Sequence, residues 1–500
     1  MCLKISMLFL LTFVSFTLTV YAVPPGTLDT AFGTNGLAKT DVSTADDEIW
    51  AVAVQSDNKI IAAGYSGKPA AFTIARYNAN GTLDTTFGTS GIAKPFSSTG
   101  NTYARAVVIQ ADGKIVVGGD AEGNFALVRY TTTGQLDTSF GTGGKVITEI
   151  EPGSLIQGLA LQSDGKIIAV GYTGGISDFA VARYNTNGSP DTSFGTGGVT
   201  ITDFGAKDYD RATSVKLQSN GKIVVAGSGV DADLFAGFAI ACYNTDGLLD
   251  ASFGTDGKVV TPNDSEAKAL GIQGDGKITL TGAVNYDIFL ARYNTDGSLD
   301  TGFGNNGTVS TDINGNQDAA HAINVESSGK VLVVGSTISN GNEDFALVKY
   351  NPSGVRDTTF DNGDGIVTTS LNTNSDIAYA VSIQPNGGII VGGSKNDFSV
   401  KEFAVTRYVG YQATAANVSV GGRLTSASGN GLAGIRVSLM NMQGVSSYTL
   451  TNSFGYYTFS DIPAGETYII APNSAKHTFS PSARAVNVME DVTGVDFTAN

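Results

Sequence analysis

Residues Pro24 to Val42 read PPGTLDTAFGTNGLAKTDV, and the phrase at their centre, L-D-x-x-F-G, returns six times downstream. The later copies begin at Leu83, Leu136, Pro190, Leu249, Leu299 and Arg356, the last as RDTTFD. In every later copy two other phrases come first. One is Q-x-D-G-K-I with an apolar run and a glycine, starting at Gln55, Gln110, Gln162, Gln218, Gln273, Glu326 and Gln384. The other is apolar-x-R-Y-N, ending near Tyr77, Tyr130, Tyr184, Tyr243, Tyr293, Tyr350 and Tyr408. The chain therefore opens on the end of a repeat. The repeat region also closes on a beginning: "IAYAVSIQ", "GGIIVGGS" and "EFAVTRY" have no L-D-x-x-F-G after them.

Successive copies lie about 50 to 59 residues apart, the spacing of propeller blades. Read from Ile49, one unit holds four strand patterns. "IWAVAVQ" alternates, "KIIAAG" is a buried run, "AFTIARYN" follows a loop, and "TTFGTSGIAKP" follows the turn "ANGTLD". Asn-Gly and Asp-Gly pairs at the joints are strong hairpin signals. No apolar stripe of helical period appears in these units. Four antiparallel strands repeated seven times predict an all-β fold, a seven-bladed β-propeller. The segment Thr27 to Val42 is expected to supply the missing fourth strand beside Phe403 to Tyr408 and so close the ring, leaving no open edge.

The phrases LDTSFGTGGKV, QSDGKIIAVG and DFAVARYN resemble the bacterial delta-60 repeat family, and the strand order is similar to NHL-type propellers. The resemblance covers about Gly26 to Tyr408 and implies a secreted propeller rather than any particular reaction. The propeller is placed at residues 23–410.

Residues 1–22 read as a secretory signal peptide: Lys4 is the lone charge, Leu8 to Val20 is apolar or hydroxylic, and Val20-Tyr21-Ala22 offers a cleavage site. The expected location is thus secreted or cell envelope, with no membrane insertion of the mature chain. Cys242 is then the one remaining cysteine, so no intramolecular disulfide is expected. The net charge of −16 argues against nucleic acid as a partner, which a basic patch would announce. Glycine, 64 of 500 residues, suits many tight turns.

What recurs in all units reads as scaffold: the Asp of L-D-x-x-F-G as a turn cap, its Phe as packing between blades. Binding residues are expected where the copies differ. The fourth residue before each Gln or Glu is always small (Ala51, Ala106, Gly158, Ser214, Ala269, Ala322, Ala380). The fifth is different in every copy: Trp50, Arg105, Gln157, Thr213, Lys268, His321 and Tyr379. These seven are expected to ring the mouth of the central channel on the face of the variable loops. An aromatic beside planar polar groups suits a sugar or another small polar ligand. A glycan or a protein is the expected partner. No motif specifies an oligomeric state.

Catalysis is not expected. His321 and His477 fall in different domains, and no G-x-S-x-G or paired-histidine metal motif is present. The alternatives are an enzyme acting on extracellular polysaccharide, with Asp47 and Asp210 as a carboxylate pair, and a purely structural envelope component. The N-x-D-G turns carry too little charge, and lack the closing Glu, for calcium loops, so no metal or cofactor is expected.

After Tyr408 the vocabulary changes. Residues 411–416 form a linker, and 417–500 alternate like a small antiparallel β-sandwich. The marks GGRLT, GLAGIRV, SFGYYTF and IPAGETY resemble the carboxypeptidase regulatory-like domain, an accessory module without a catalytic site.

Overall fold

The computed structural model describes residues 23–96, 100–175, 177–205, 209–231, 233–326, 328–397, 400–410, 418–441, 446–462, 466–488 and 492–500. The segments expected to be a signal peptide (1–22) and a linker (411–416) lie outside the described residues. Among the described residues every element but the short 3-10 turn Phe360–Asn362 is a strand.

Seven four-stranded antiparallel sheets occupy the repeat region. Blade 1 is built of Asp47–Val54, Ile60–Ser66, Ala71–Tyr77 and Ile92–Ala93, in that order from the axis outward. The inner strands of blades 2 to 6 are Thr102–Ile109, Leu155–Leu161, Arg211–Leu217, Ala267–Ile272 and Asp318–Val325. Each inner strand packs against the next, and that of blade 7, Asp376–Ile383, against that of blade 1. Apolar clusters fill the gaps between blades, such as Ile61, Ile74 and Phe87 of blade 1 with Ile115 and Val117 of blade 2.

Blade 7 is made from both ends of the repeat region. Leu37–Thr40 pairs antiparallel with the third strand, Val400–Tyr408, in the register Leu37↔Thr406 to Thr40↔Phe403. The expected closure is what the chain adopts. The turn that joins third and fourth strands elsewhere is here assembled from two chain segments. Gly26 N donates to Val409 O (2.7 Å) and Val409 N to Thr27 O (2.8 Å), as Gly81 and Asn78 do with Asn78 and Thr82 in blade 1.

The outer strands are shorter than the sequence suggests. In blade 1 only Ile92–Ala93 is strand, and Thr85 to Gly91 is turn. Gly88, Ser90 and Gly91 there have φ of 56°, 53° and 95°, values a strand does not adopt.

The three recurrent phrases meet in one buried ion cluster. Asp84 caps its turn as expected, accepting from Thr86 N at 3.1 Å, but its other oxygen takes Arg76 of R-Y-N (2.9 Å) and Lys59 of D-G-K (3.0 Å). Arg76 lies 4.5 Å over the Phe87 ring and donates to Thr132 O of the next blade. Arg129, Arg183, Arg292 and Arg407 do the same to Thr186, Thr245, Pro352 and Ala79. Each guanidinium thus braces its blade to the following one. Cys242 and Lys349 stand at this position in blades 4 and 6, so two seams lack the brace.

The C-terminal region is a β-sandwich. One sheet orders Tyr456–Ile462, Val418–Thr425, Phe497–Ala499 and Phe479–Ser480; the other, Ser446–Leu450, Arg436–Asn441, Glu466–Asn473 and Arg484–Val488. Val420, Leu424, Val437, Leu439, Ile470 and Phe497 form its core. It departs from a wholly antiparallel pattern where Leu424 pairs parallel with Phe497 and Val420 with Val492.

Candidate functional site at the channel mouth

All seven predicted residues, Trp50, Arg105, Gln157, Thr213, Lys268, His321 and Tyr379, line a single cavity of about 320 Å³, joined by Glu266. What puts them there is a β-bulge repeated seven times. In blade 1 the register runs Ile49↔Gly64 and then Ala51↔Ala63, so Trp50 is the extra, unpaired residue. The same slip falls at Arg105, Gln157, Thr213, Lys268, His321 and Tyr379. A bulge frees one residue from the ladder and re-aims its side chain. It also draws the two strands together. A Cβ on Gly64, Gly119, Gly171, Gly227 or Gly335 would sit 1.8 Å from a carbonyl oxygen of the bulged strand. The recurrent glycine of the second phrase is therefore what admits the bulge.

The mouth is aromatic on one side. Trp50 stacks on Tyr103 at 5.4 Å and meets Tyr65 at 5.0 Å. Arg105 lies 4.6 Å over the indole, and the indole N–H donates to Glu48 at 2.9 Å. Trp50 is thus part of a fixed cluster rather than an isolated platform. On the neighbouring blades 6 and 7, His321 contacts Tyr379 at 5.1 Å. Burial, with Lys268 adding repulsion, pushes His321 down to about 4, so its imidazole is neutral at neutral pH. Burial and nearby Glu48 and Glu343 push the Tyr379 hydroxyl up.

Charge at the mouth is balanced pair by pair. Arg105 binds Asp120 at 3.0 Å, Lys268 binds Glu266, and Lys401 binds Glu48 beside Trp50. Thr213 is committed to Ala226 O (3.1 Å) and Ala267 O (2.6 Å), making it a strand clip as well as a lining residue. Tyr65, Tyr103, Glu48, Asp120 and Glu266 are not among the seven predicted residues, although Glu48 and Glu266 end the variable acidic stretches Ser43–Glu48 and Thr261–Glu266. Two of them, Tyr65 and Asp120, directly follow the recurrent glycines Gly64 and Gly119. Glu48, Tyr103 and Glu266 stand two residues before a bulged one. Both offsets vary from blade to blade, and that variation was the available signal.

Asp47 and Asp210 do not form a carboxylate pair. They occupy the same position in blades 1 and 4, with two blades between them. Asp47 accepts from Val42 N, Ser43 N and Gly67 N, and Asp210 from Phe204 N and Val230 N. Buried oxygen side chains that hold the entering loop are their role, shared with Asp376. The N-x-D-G turns use their side chains as Asx caps, for example Asp296 accepting from Ser298 N at 2.9 Å.

These carboxyls divide into two opposed sets. Burial raises Asp47 and Asp376 and lifts Asp210 to about 6. A raised folded pKa means that protonation favours the fold, so Asp210 adds stability as pH falls from about 6 toward 3.8, and Asp47 and Asp376 act in the same direction. The Lys166 and Lys222 hydrogen bonds hold Asp191 and Asp250 well below the usual range. That set contributes above the unfolded pKa and loses its contribution as pH falls further. His321, depressed from 6.5 to about 4, opposes the first set over the same range and offsets Asp210, leaving Asp47 and Asp376 to set the direction. Thermal unfolding followed across pH should give its highest transition between about pH 4 and 6 rather than near 7.5. A maximum above 7 would contradict these assignments.

Comparison with known proteins agrees with this architecture. Residues 55–87, 110–140, 162–194, 218–253, 273–303 and 326–360 match the family described as a domain of unknown function (DUF5122), beta-propeller. Residues 418–498 match the second beta sandwich domain of NOMO1-like BOS complex subunits. No curated protein matches the chain. Among solved structures, virginiamycin B lyase from Staphylococcus aureus is similar at 13% identity over 74% of this chain and 98% of its own, with a TM-score of 0.43. An ulvan lyase from a new family of polysaccharide lyase is similar at 12% identity over 78% and 94%, TM-score 0.43. A protein from Lactobacillus plantarum is similar at 15% identity over 70% and 96%, TM-score 0.43.

Proposed function

We propose that this is an exported binding protein whose propeller holds a hydroxyl-rich ligand, a glycan, at the channel mouth, and that its repeats are of the delta-60 type. One observation carries the reading: seven positions that differ in every blade converge on one cavity, beside a fixed aromatic cluster. Because the cations there are each paired with a carboxylate, the site carries little net charge. Such a surface favours saccharide hydroxyls over an ionic ligand, and Trp, Tyr and Arg are the side chains that anchor binding surfaces. We read the sandwich as an accessory module resembling the carboxypeptidase regulatory-like domain.

The test is a glycan screen followed by calorimetry on the variants Trp50→Ala and Arg105→Ala. Each should weaken binding by about 2 kcal/mol, the cost of losing a well-packed anchor, in protein whose circular dichroism shows the propeller still folded. Undiminished binding in both variants would place the ligand elsewhere. A polysaccharide-acting enzyme is the second reading, favoured by the neutral His321 beside Tyr379 in the same cavity. Release of shortened chains during the incubation would select it.

A further inference from the structure

A second cavity, of about 480 Å³, opens between blades 5 and 6, lined among others by Asn285, Tyr286, Gln317, Asp318 and Glu343. Beside it, oxygens of Asp287, Asp312 and Asp318 all lie within 4.8 Å of one another. Three separate elements bring them together: the start of a third strand, the residue after an outer strand, and the first residue of the next inner strand. Among the described residues, no lysine or arginine pairs with any of the three. Ser310 donates to Asp287 at 3.0 Å, and backbone amides of Gly315 and Ile313 donate to Asp312 and Asp318, each at 2.6 Å.

The decisive group is Asp318. It is 3% exposed, and its Oδ1 makes no hydrogen bond of ordinary geometry; the Thr337 hydroxyl on the paired strand lies near enough to stabilise the carboxylate but closes no such bond. A buried, half-satisfied carboxylate next to two others is costly unless a proton or a cation completes it, and at neutral pH a cation is the stronger partner for three carboxyls.

Two sister positions sharpen the point. Between blades 7 and 1 the same three places hold Glu402, Asp41 and Asp47, and there Lys39 binds Glu402 at 3.1 Å. Ser310 replaces that lysine between blades 5 and 6. Between blades 3 and 4 the places hold Asp178, Asp203 and Asp210, but backbone amides occupy both oxygens of Asp210.

We propose that Asp287, Asp312 and Asp318 bind a hard divalent cation, calcium foremost. The ligands are all oxygen, and oxygens placed about 2.3–2.6 Å from one calcium ion are at most about 5 Å apart, which the cluster satisfies. The cavity side leaves room for the further oxygens that calcium takes.

The experiment uses the full exported chain after chelator treatment, with terbium as a luminescent probe sensitised by Tyr286 and displaced by calcium. Asp312 is exposed and Asp287 half-exposed, so Asp287→Asn and Asp312→Asn leave the buried Asp318 in place. Each should weaken calcium affinity by about tenfold or more, since affinity follows the number of ligand charges, with circular dichroism unchanged. Asp203→Asn should leave the titration as it is. The proposal is overturned if no calcium-displaceable signal appears up to about millimolar concentrations, the weakest class of calcium site. It is equally overturned if the signal survives both substitutions intact, or if Asp203→Asn alone removes it.

Discussion

Removing residues 27–42 should abolish the cooperative folding of the propeller, although the deleted stretch contains a single short strand. That segment carries Phe32, fully buried in the cluster joining blades 7 and 1. It also carries Leu28 and Leu37, packed into the cluster joining blades 6 and 7. Loss of a buried Phe alone costs about 3–5 kcal/mol. The deletion also strips Arg407 of Asp29, its partner at 2.7 Å, and leaves a guanidinium unpaired. Finally, it uncovers Val400–Tyr408 as an open edge, a template for pairing with other chains. Calorimetry and size-exclusion chromatography should show a broad or absent transition and aggregation. Removal of residues 418–500 should leave the propeller transition in place. A sharp native-like transition after the first deletion would mean that ring closure does not depend on the clasp.

The second large effect is expected from one methyl group. In Gly171→Ala the new Cβ would lie 1.8 Å from the Leu155 carbonyl oxygen, a separation that no rotamer change relieves because both partners are backbone. The inner strand would have to move away, undoing the bulge that presents Gln157. Destabilisation of about 3 kcal/mol is expected, the upper part of the range for overpacking, together with loss of ligand binding at the mouth. Gly302→Ser is the control. Five other blades carry Ser or Thr at that position (Thr86, Ser139, Ser193, Ser252 and Thr359), and it should be neutral within about 0.5 kcal/mol. Chemical denaturation of the two variants decides it. Equal stabilities would show that the glycine is not required by the bulge.

The contrast between Gly171 and Gln157 also shows how far the sequence could be read. Seven copies of one unit in a single chain supply their own comparison, so the mouth residues stood out by a fixed offset from Gln55 and its counterparts. The bulge did not stand out, because one extra residue in a strand leaves the apolar alternation on either side intact. The ion cluster was likewise hidden: Lys59, Arg76 and Asp84 belong to three phrases that looked independent until the hairpins stacked them. Asp287, Asp312 and Asp318 are further out of reach, because each sits at the end of a different element and only the blade junction makes them neighbours.

The guanidinium braces carry one more consequence. They link blade 7 onward through blades 1, 2, 3 and 4, and again blade 5 to blade 6, but Cys242 and Lys349 interrupt the series at the seams between 4 and 5 and between 6 and 7. The ring is thereby divided into an arc of five and an arc of two. Release of a segment from a closed toroid requires two breaks, and here the two seams without a guanidinium brace flank the same pair of blades. Sub-global opening should release blades 5 and 6 as one hinged flap, and an ion bound between them would hold that flap together as a unit.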